Sequence, residues 1–239
     1  MIDRLYSYFD SPRRQTILLI AIVVLMALAP LVMGRYMTTI MTNALLYVVL
    51  ALGLNIVVGY AGLLDLGYAA FFAVGAYSIG ILTVQFDWNF WLAIPPALVA
   101  ACLAGVIIGG PTLRLRSDYL AIVTLGFGEI VRFGARNLEI TGRATGLSNI
   151  PEPNFFGYVI SSYVDFYYIF LLLAVAAVIA SHRLYHSRLG RAWLYVRHDE
   201  DAAEAMGINR VRVKLAAYVT GSVFGAFGGI FFAANLGAI

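Results

Sequence analysis

The sequence predicts an all-α membrane protein, a polytopic bundle of about seven transmembrane helices with a cytoplasmic N-terminus. Three observations lead to this fold class. Of 239 residues, 62% are hydrophobic and 12% are charged, whereas about a quarter of a typical soluble domain is charged. Long stretches carry no charge, and the basic residues fall mainly on one side of the predicted spans. This composition excludes a water-soluble monomer and a disordered chain, and the single cysteine, Cys102, excludes an intramolecular disulfide.

Six charge-free stretches are candidate spans, because an ionised side chain is expensive at the bilayer centre. A hydrocarbon core of about 30 Å needs roughly 20 helical residues, and each stretch reaches or approaches this length with its flanking residues. The six stretches are 17–34, 36–64, 66–86, 88–113, 166–181 and 215–239. A seventh candidate, 118–134, carries Glu129 and Arg132.

The Lys and Arg residues predict the orientation. With the N-terminus in the cytoplasm, 12 basic residues lie inside and 4 lie outside or at the outer end of a span, which is the positive-inside pattern. The four are Arg35, Arg132, Arg136 and Arg143. The loop 182–214 alone holds seven basic residues, and it faces the cytoplasm only if 118–134 crosses the membrane.

We therefore expect residues 1–239 to form one transmembrane domain. Three of its segments lie in water under this interpretation. They are a cytoplasmic N-terminal segment 1–16, an external loop 135–164 and a cytoplasmic loop 182–214.

Glycine spacing predicts close contacts between helices. Gly221, Gly225 and Gly229 recur every four residues, and Gly105 and Gly109 do the same in an earlier span. Such glycines share one helical face and let a neighbouring backbone approach.

Glycines are also dense over 53–80, where residues 59–62 (Gly-Tyr-Ala-Gly) are typical of a tight turn. Two interpretations remain open. One is a broken or re-entrant helix, which is tolerated where irregular backbone is buried in protein or lines a cavity. The other is an ordinary short cytoplasmic turn between the second and third spans.

The loop 182–214 contains a predicted short helix over 199–207. Acidic residues crowd its start, where the helix dipole favours negative charge, and Gly207 is suited to end it. Between them lies a small apolar surface of the kind that enters a groove on another protein. Its residues are Ala202, Ala203, Ala205 and Met206. A solvated helix without a partner accounts equally well for this pattern.

Four separated motifs resemble, in order, those of the LivM-type permeases of branched-chain amino acid importers. The resemblance covers roughly 40–239. The motifs are GLNIVVGYAGLL at 53–64 with LGYAAFFAVGAY at 66–77, LRLRSDYLAIVTLGFGEIVR at 113–132, SRLGRAW at 187–193, and an EAA-type loop at 201–207.

The resemblance implies a heteromeric ATP-binding-cassette (ABC) importer of the bacterial inner membrane that carries branched-chain amino acids. Its further parts are a sister, LivH-like permease, two ABC ATPase subunits and an external substrate-binding protein. The residues matching the loop that docks on the ATPase are Glu200, Asp201, Ala202, Ala203 and Gly207. An Asp stands at 201 where the motif has Glu, so Glu200 and Asp201 both remain candidates. We expect Ala203→Arg to leave membrane insertion intact and to abolish this docking.

Two departures from the family pattern stand out. Where the family has Thr-Gly-Gly-x-x-Gly in the outer loop, this chain has Arg143 at the second Gly position. The family also continues with further spans after the point where this sequence ends, so the resemblance implies a chain truncated at its C-terminus.

The sequence contains none of the motifs that ATP hydrolysis or metal-dependent catalysis by this chain would require. The GxxxxGK[ST] phosphate-binding loop is missing, as are HExxH and CxxC motifs. We therefore expect no enzymatic activity, no cofactor, no metal and no nucleic-acid partner, with ATP hydrolysis in a separate subunit. The basic residues of 182–214 are expected to lie near anionic lipid headgroups.

The few polar residues in or near the spans are candidates for a translocation path. They are Asn55, Asp65, Tyr68, Ser78, Glu129 and Arg132. Mutual hydrogen bonding inside the bundle would explain them as well. Glu129 and Arg132 are three residues apart and share a helical face, which predicts an ion pair. Opposite charges of this kind also suit a zwitterionic amino acid.

Other functions remain open. A related ABC permease for urea or short amides would have the same motifs. An ion-coupled secondary transporter would carry acidic residues deep in several spans, whereas only Asp65 and Glu129 qualify here. The third alternative is a membrane scaffold subunit that does not transport.

Overall fold

The computed structural model describes residues 12–112, 117–155 and 158–239. Predictions that rest on 1–11 or on 113–116 lie outside the described residues. The helices are α1 (Pro12–Val32), α2 (Arg35–Leu54) with a π-helical extension (Asn55–Tyr60), α3 (Ala69–Val84), α4 (Phe90–Thr112), α5 (Ser117–Asn137), α6 (Tyr163–Tyr185), α7 (Arg188–His198), α8 (Glu200–Ala205) and α9 (Arg210–Leu236). Two short strands, β1 (Asn154–Phe155) and β2 (Tyr158–Val159), form an antiparallel hairpin.

The prediction of a helical membrane protein is confirmed. Within the described residues, four segments are long and apolar enough to cross a membrane, and α1 and α3 contribute shorter apolar helices. The four are Arg35–Tyr60, Phe90–Gly110, Tyr163–Tyr185 and Arg210–Leu236. Large apolar side chains point away from the bundle, such as Leu31 and Leu172, which are 73% and 72% exposed. Surfaces of this kind are suited to lipid rather than water. The count of seven crossings stays a prediction.

Helix α9 lies at the centre of the bundle and packs most extensively against α3 and α4. The predicted glycine face makes this contact. A methyl group added at Gly229 would lie 2.0 Å from the carbonyl oxygen of Phe72, and one at Gly75 would lie 2.5 Å from the backbone of Ala226. The backbones of α3 and α9 therefore touch, as the glycine spacing predicted.

The third predicted span is helical over only part of its length. After Tyr60 the chain has no helical structure until α3 begins at Ala69. The hydroxyl group of Tyr68 donates a hydrogen bond to the carbonyl oxygen of Gly221 over 3.0 Å. Gly221 is roughly 16 Å along α9 from its first residue, at 1.5 Å per residue. The chain thus turns at 59–62 and then runs without helical structure into the bundle, with residues that alternate between buried and exposed over 61–66. Each of the two interpretations of this region therefore describes part of it.

The helix ends gather at two opposite ends of the bundle. One, here called the basic end, holds the turn 59–62 and the loop 182–214. The other, here called the hairpin end, holds residues 135–164 and the C-terminal end of α9. There Leu147 and Ile239 exchange backbone hydrogen bonds of 3.0 and 2.9 Å.

Residues 135–164 lie over the helix ends. The side chains of Gln85 and Trp91 donate hydrogen bonds to the carbonyl oxygens of Ile140 and Asn154, over 2.7 and 2.8 Å. Arg143, at the position where the family has Gly, adopts a left-handed backbone with φ +56°.

Candidate functional site

The loop 182–214 folds into two helices, α7 and α8, ahead of α9. The carboxylate of Asp199 accepts hydrogen bonds from the backbone N–H groups of Asp201 and Ala202, both over 3.0 Å, and so caps the start of α8. Gly207 follows the helix with φ +83°, a conformation that glycine adopts at little cost. The predicted start and end of this short helix are confirmed.

Helix α8 presents only part of its apolar surface to solvent. Ala203 is 3% exposed and packs against its own chain, whereas Met206 is 80% exposed. Ala202 and Ala205 are exposed beside it. The placement of Ala203 on the exposed apolar surface is therefore wrong, and an arginine at this position would force a charge into the chain's own packing.

Ion pairs fix the orientation of α8 on the first turns of α9. Lys214 is 4% exposed, and its ammonium group lies 2.5 Å from a carboxylate oxygen of Glu200. Arg210 lies 3.2 Å from Glu204 and 3.5 Å from Asp201. The side chain of Asp201 remains 95% exposed. Of the two acids left open by the sequence, Glu200 faces the bundle and Asp201 faces solvent.

Helix α7 connects this loop to the turn at 59–62. Trp193 is fully buried, and its indole N–H donates to the carbonyl oxygen of Val213 over 2.8 Å. Its ring stacks on that of Tyr60, with centroids 6.5 Å apart. The guanidinium of Arg197 donates a hydrogen bond to the carbonyl oxygen of Gly59. A shift of α7 would therefore carry this turn with it.

The unwound segment after the turn is held by polar contacts inside the bundle. One carboxylate oxygen of Asp65, Oδ1, accepts from the backbone N–H of Gly67 over 2.8 Å. Its second oxygen, Oδ2, has no hydrogen-bond partner among the described residues. The backbone N–H of Leu66 donates to the hydroxyl group of Thr124 on α5 over 3.0 Å. Sequence reasoning missed Thr124, because a threonine in an apolar span gives no sign of the segment that it contacts.

A groove of about 350 Å³ lies between α3 and α5, next to this segment. The predicted ion pair of Glu129 and Arg132 lies on its wall. Both Nε and Nη2 of Arg132 donate to Oε2 of Glu129, over 2.9 and 2.6 Å. The side chains of the pair are about half exposed. The residues of α3 and its approach that line the groove are Leu66, Gly67, Ala69, Ala70, Ala73 and Tyr77.

The structure brings together some of the predicted path residues and separates others. Asp65 and Tyr68 are buried where the unwound segment meets α5 and α9, and Glu129 and Arg132 line the groove. Two other candidates, Asn55 and Ser78, are not among its lining residues. Tyr77 and Arg136 line the groove and were missed. The sequence signal that could have found them is helical spacing: Tyr77 follows Ala73 by four residues and Arg136 follows Arg132 by four, which places each pair on one helical face.

These features define a class of protein: a helical membrane protein whose long polar loop displays a short helix, α8, and contacts a non-helical segment inside the bundle. The chain belongs to the family described as the permease component of branched-chain amino acid transport systems, whose family model matches residues 36–239.

Curated relatives agree with this membership. The chain is 42% identical, over 96% of its length, to the high-affinity branched-chain amino acid transport system permease protein LivM of Escherichia coli, covering 60% of that protein. For the protein of the same name from Salmonella typhimurium the identity is 41%, with the same coverage. A probable branched-chain amino acid transport permease protein LivM of Methanocaldococcus jannaschii is 26% identical over 78% of this chain and 64% of its own length.

The chain thus spans less than two thirds of the length of these relatives. No solved structure matches it.

Proposed function

We propose that this chain is a permease subunit of an ABC importer that moves branched-chain or related amino acids across the bacterial inner membrane. The observation that carries this proposal is α8. It is capped at both ends, clamped to α9 by ion pairs, and leaves Ala202, Ala205 and Met206 exposed. A small apolar surface ringed by fixed charges is suited to a groove on a partner subunit.

The proposal includes seven crossings, with the basic end in the cytoplasm. The connections between the helices support this arrangement: the turn 59–62 and the loop 182–214 lie together at the basic end, whereas residues 135–164 and the C-terminal end of α9 lie together at the hairpin end. Seven basic residues in 182–214 favour the cytoplasm for the basic end. The hairpin end then faces the external binding protein. A sister permease would complete the translocation path, and two ATPase subunits would dock at the basic end.

The contacts of α7 supply a route for coupling. ATP binding would close the ATPase pair and displace α8, and α7 would move with it. Trp193 and Arg197 would transmit that movement to Tyr60 and Gly59, and so to the unwound segment 61–68. Hydrolysis itself belongs to the partner, because this chain has no phosphate-binding loop.

Co-purification tests the proposal. A tagged chain is produced with the sister permease and the ATPase subunits of the same importer, and the proteins that it retains in mild detergent are measured. We expect Ala202→Arg to lose the ATPase while keeping the sister permease, because the new charge blocks only the exposed face of α8. Ala202→Ser is the matched control and should keep both partners.

Ala203→Arg gives a useful contrast, since it should damage the chain's own packing and reduce the yield of folded protein. Retention of the ATPase by Ala202→Arg at the level of the unchanged chain would contradict the docking assignment. Failure of the unchanged chain to bind any ATPase would contradict the proposed function itself.

A further inference from the structure

In the proposed arrangement of seven crossings, the charged pair on α5 lies at a depth where lipid is a poor neighbour. Glu129 is eight residues before the end of α5 at Asn137, or about 12 Å below that end at 1.5 Å per residue. Its side chain and that of Arg132 are 52% and 49% exposed. Charged groups within a span face the bundle interior or a water-filled cavity rather than lipid. The groove that they line is therefore a polar compartment in the assembled transporter.

The opposite wall of this groove is mainly apolar, with alanines near the floor and a tyrosine further along α3. Ala69, Ala73 and Tyr77 follow one another at intervals of four residues along α3. At the floor, a methyl group added to Gly128 would lie 3.5 Å from the Cα atom of Gly67, so α5 and the unwound segment are close there. The volume of about 350 Å³ is at the small end of the range for ligand sites. A groove with one apolar wall and one charged wall is suited to a small molecule that has an aliphatic part and a charged part.

The α5 wall of the groove has a net positive charge, and some of its charged atoms do not take part in the Glu129–Arg132 ion pair. Both bonds that Arg132 donates to Glu129 go to Oε2, so Oε1 of Glu129 and Nη1 of Arg132 are not used in the pair. Arg136 lies one turn further along α5 and forms no ion pair within the described part of the chain. One carboxylate and two guanidinium groups sum to a charge of +1. Guanidinium groups bind carboxylates by paired, charge-assisted hydrogen bonds.

We propose that this groove binds the transported molecule as an α-amino acid. Its carboxylate lies between Arg132 and Arg136, its ammonium group contacts Glu129, and its aliphatic side chain lies against Ala69 and Ala73. This inference rests on the proposed function and assigns the residues that would hold its substrate. Urea and short amides lack the carboxylate and would leave the guanidinium groups unpaired, which a site of this kind penalises.

Protection of a cysteine from labelling tests the groove directly. Ala73→Cys is introduced together with Cys102→Ala into the complex with its sister permease and ATPases, and the rate of reaction with a small maleimide is measured. We expect saturating L-leucine to slow labelling about tenfold, while leucinamide and urea leave it unchanged.

Variants separate recognition from a structural role. Arg132→Gln and Arg136→Gln should abolish protection by leucine. Arg143→Gln is the matched control, because it removes an exposed arginine at the same end of the bundle but outside the groove, and it should keep protection. Exchanging the charges with Glu129→Arg and Arg132→Glu preserves an ion pair but reverses its direction, so protection should be lost.

Two results would overturn the inference. One is equal protection by leucine and leucinamide, because the carboxylate would then not be recognised. The other is protection of the charge-exchanged variant at the level of the unchanged chain. A second measurement, ATP-driven leucine uptake by vesicles that contain the whole transporter, distinguishes failure of the groove assignment from failure of the proposed importer function. Uptake without protection refutes only the groove, whereas absence of uptake and of protection refutes both.

Discussion

Arg197 on α7 donates a hydrogen bond to the carbonyl oxygen of Gly59, which lies 138 residues earlier in the chain. The stem of the same side chain covers the turn, since a methyl group added at Gly62 would lie 2.8 Å from its Cγ atom. One side chain thus joins the loop proposed to meet the ATPase to the start of the unwound segment. If the loop moves, this hydrogen bond is one place where its movement would reach the bundle.

We predict that Arg197→Met uncouples the transporter. Methionine keeps part of the apolar stem and removes the donor, so the ATPase should still co-purify while leucine uptake per ATP hydrolysed falls severalfold. Proteoliposomes with the binding protein and ATP measure both quantities. Arg188→Met on the same helix is the control, because Arg188 is also exposed but forms no hydrogen bond to the turn at 59–62 in the described structure. Equal uptake per ATP in the two variants would contradict a coupling role for Arg197.

Lys214 gives a second prediction, about the orientation of α8. Its ammonium group is buried and lies 2.5 Å from Glu200. Lys214→Met removes one partner of this pair and leaves the carboxylate of Glu200 facing an apolar side chain. Because Glu200 is 38% exposed, water offsets part of the loss, and we expect a cost of about 1 kcal/mol.

The measurement for Lys214→Met is the thermal unfolding temperature of the purified complex in detergent. Arg212→Met is the matched control, since Arg212 is exposed two residues earlier on α9. We expect Lys214→Met to lower the unfolding temperature and Arg212→Met to leave it unchanged. Equal unfolding temperatures would show that the Lys214–Glu200 pair does not hold α8.

Local features made much of the fold predictable from the sequence. Charge-free stretches indicated the apolar helices because a charged side chain is excluded from lipid by its own chemistry, whatever its neighbours. The glycines of α9 indicated a close backbone contact because a residue without a side chain lets a neighbouring helix approach, whichever helix that is. Asp199 and Gly207 indicated the ends of α8 because helix caps act over three or four residues.

The remaining features depend on contacts between distant segments. Nothing local distinguishes buried Ala203 from exposed Ala202, because a six-residue helix rich in alanine has no apolar periodicity. The groove is equally non-local, since Arg136 and Tyr77 meet only through the packing of α3 beside α5. The π-helical turn before the unwound segment also had no sequence signal beyond its glycines.

Gly229 gives a third prediction, which tests the contact of α3 with α9. In Gly229→Ala the added methyl group would lie 2.0 Å from the carbonyl oxygen of Phe72, and a backbone atom cannot move aside as a flexible side chain can. We expect loss of folded protein, measured as the monodisperse fraction on size-exclusion chromatography. Gly126→Ala is the control, because nothing lies within 4 Å of the added methyl group there. Normal recovery of Gly229→Ala would contradict this backbone contact.

Asp65 allows a structural role to be separated from a transport role. Its side chain is 5% exposed, and Oδ1 accepts the backbone N–H of Gly67 while Oδ2 has no hydrogen-bond partner in the described chain. Asp65→Asn keeps the acceptor and removes a buried charge, so the unfolding temperature should not fall. Asp65→Leu leaves the N–H of Gly67 without an acceptor, which costs about 1–3 kcal/mol, and should lower it.

Leucine uptake by the Asp65→Asn variant then decides the role of the charge. If the carboxylate serves only to hold the unwound segment, Asp65→Asn should transport leucine at the rate of the unchanged chain, because the bond to Gly67 survives. Loss of uptake in a stable Asp65→Asn protein would assign the negative charge itself to the path. We expect uptake to persist, since Asp65 is buried beside Thr124 rather than among the residues that line the groove.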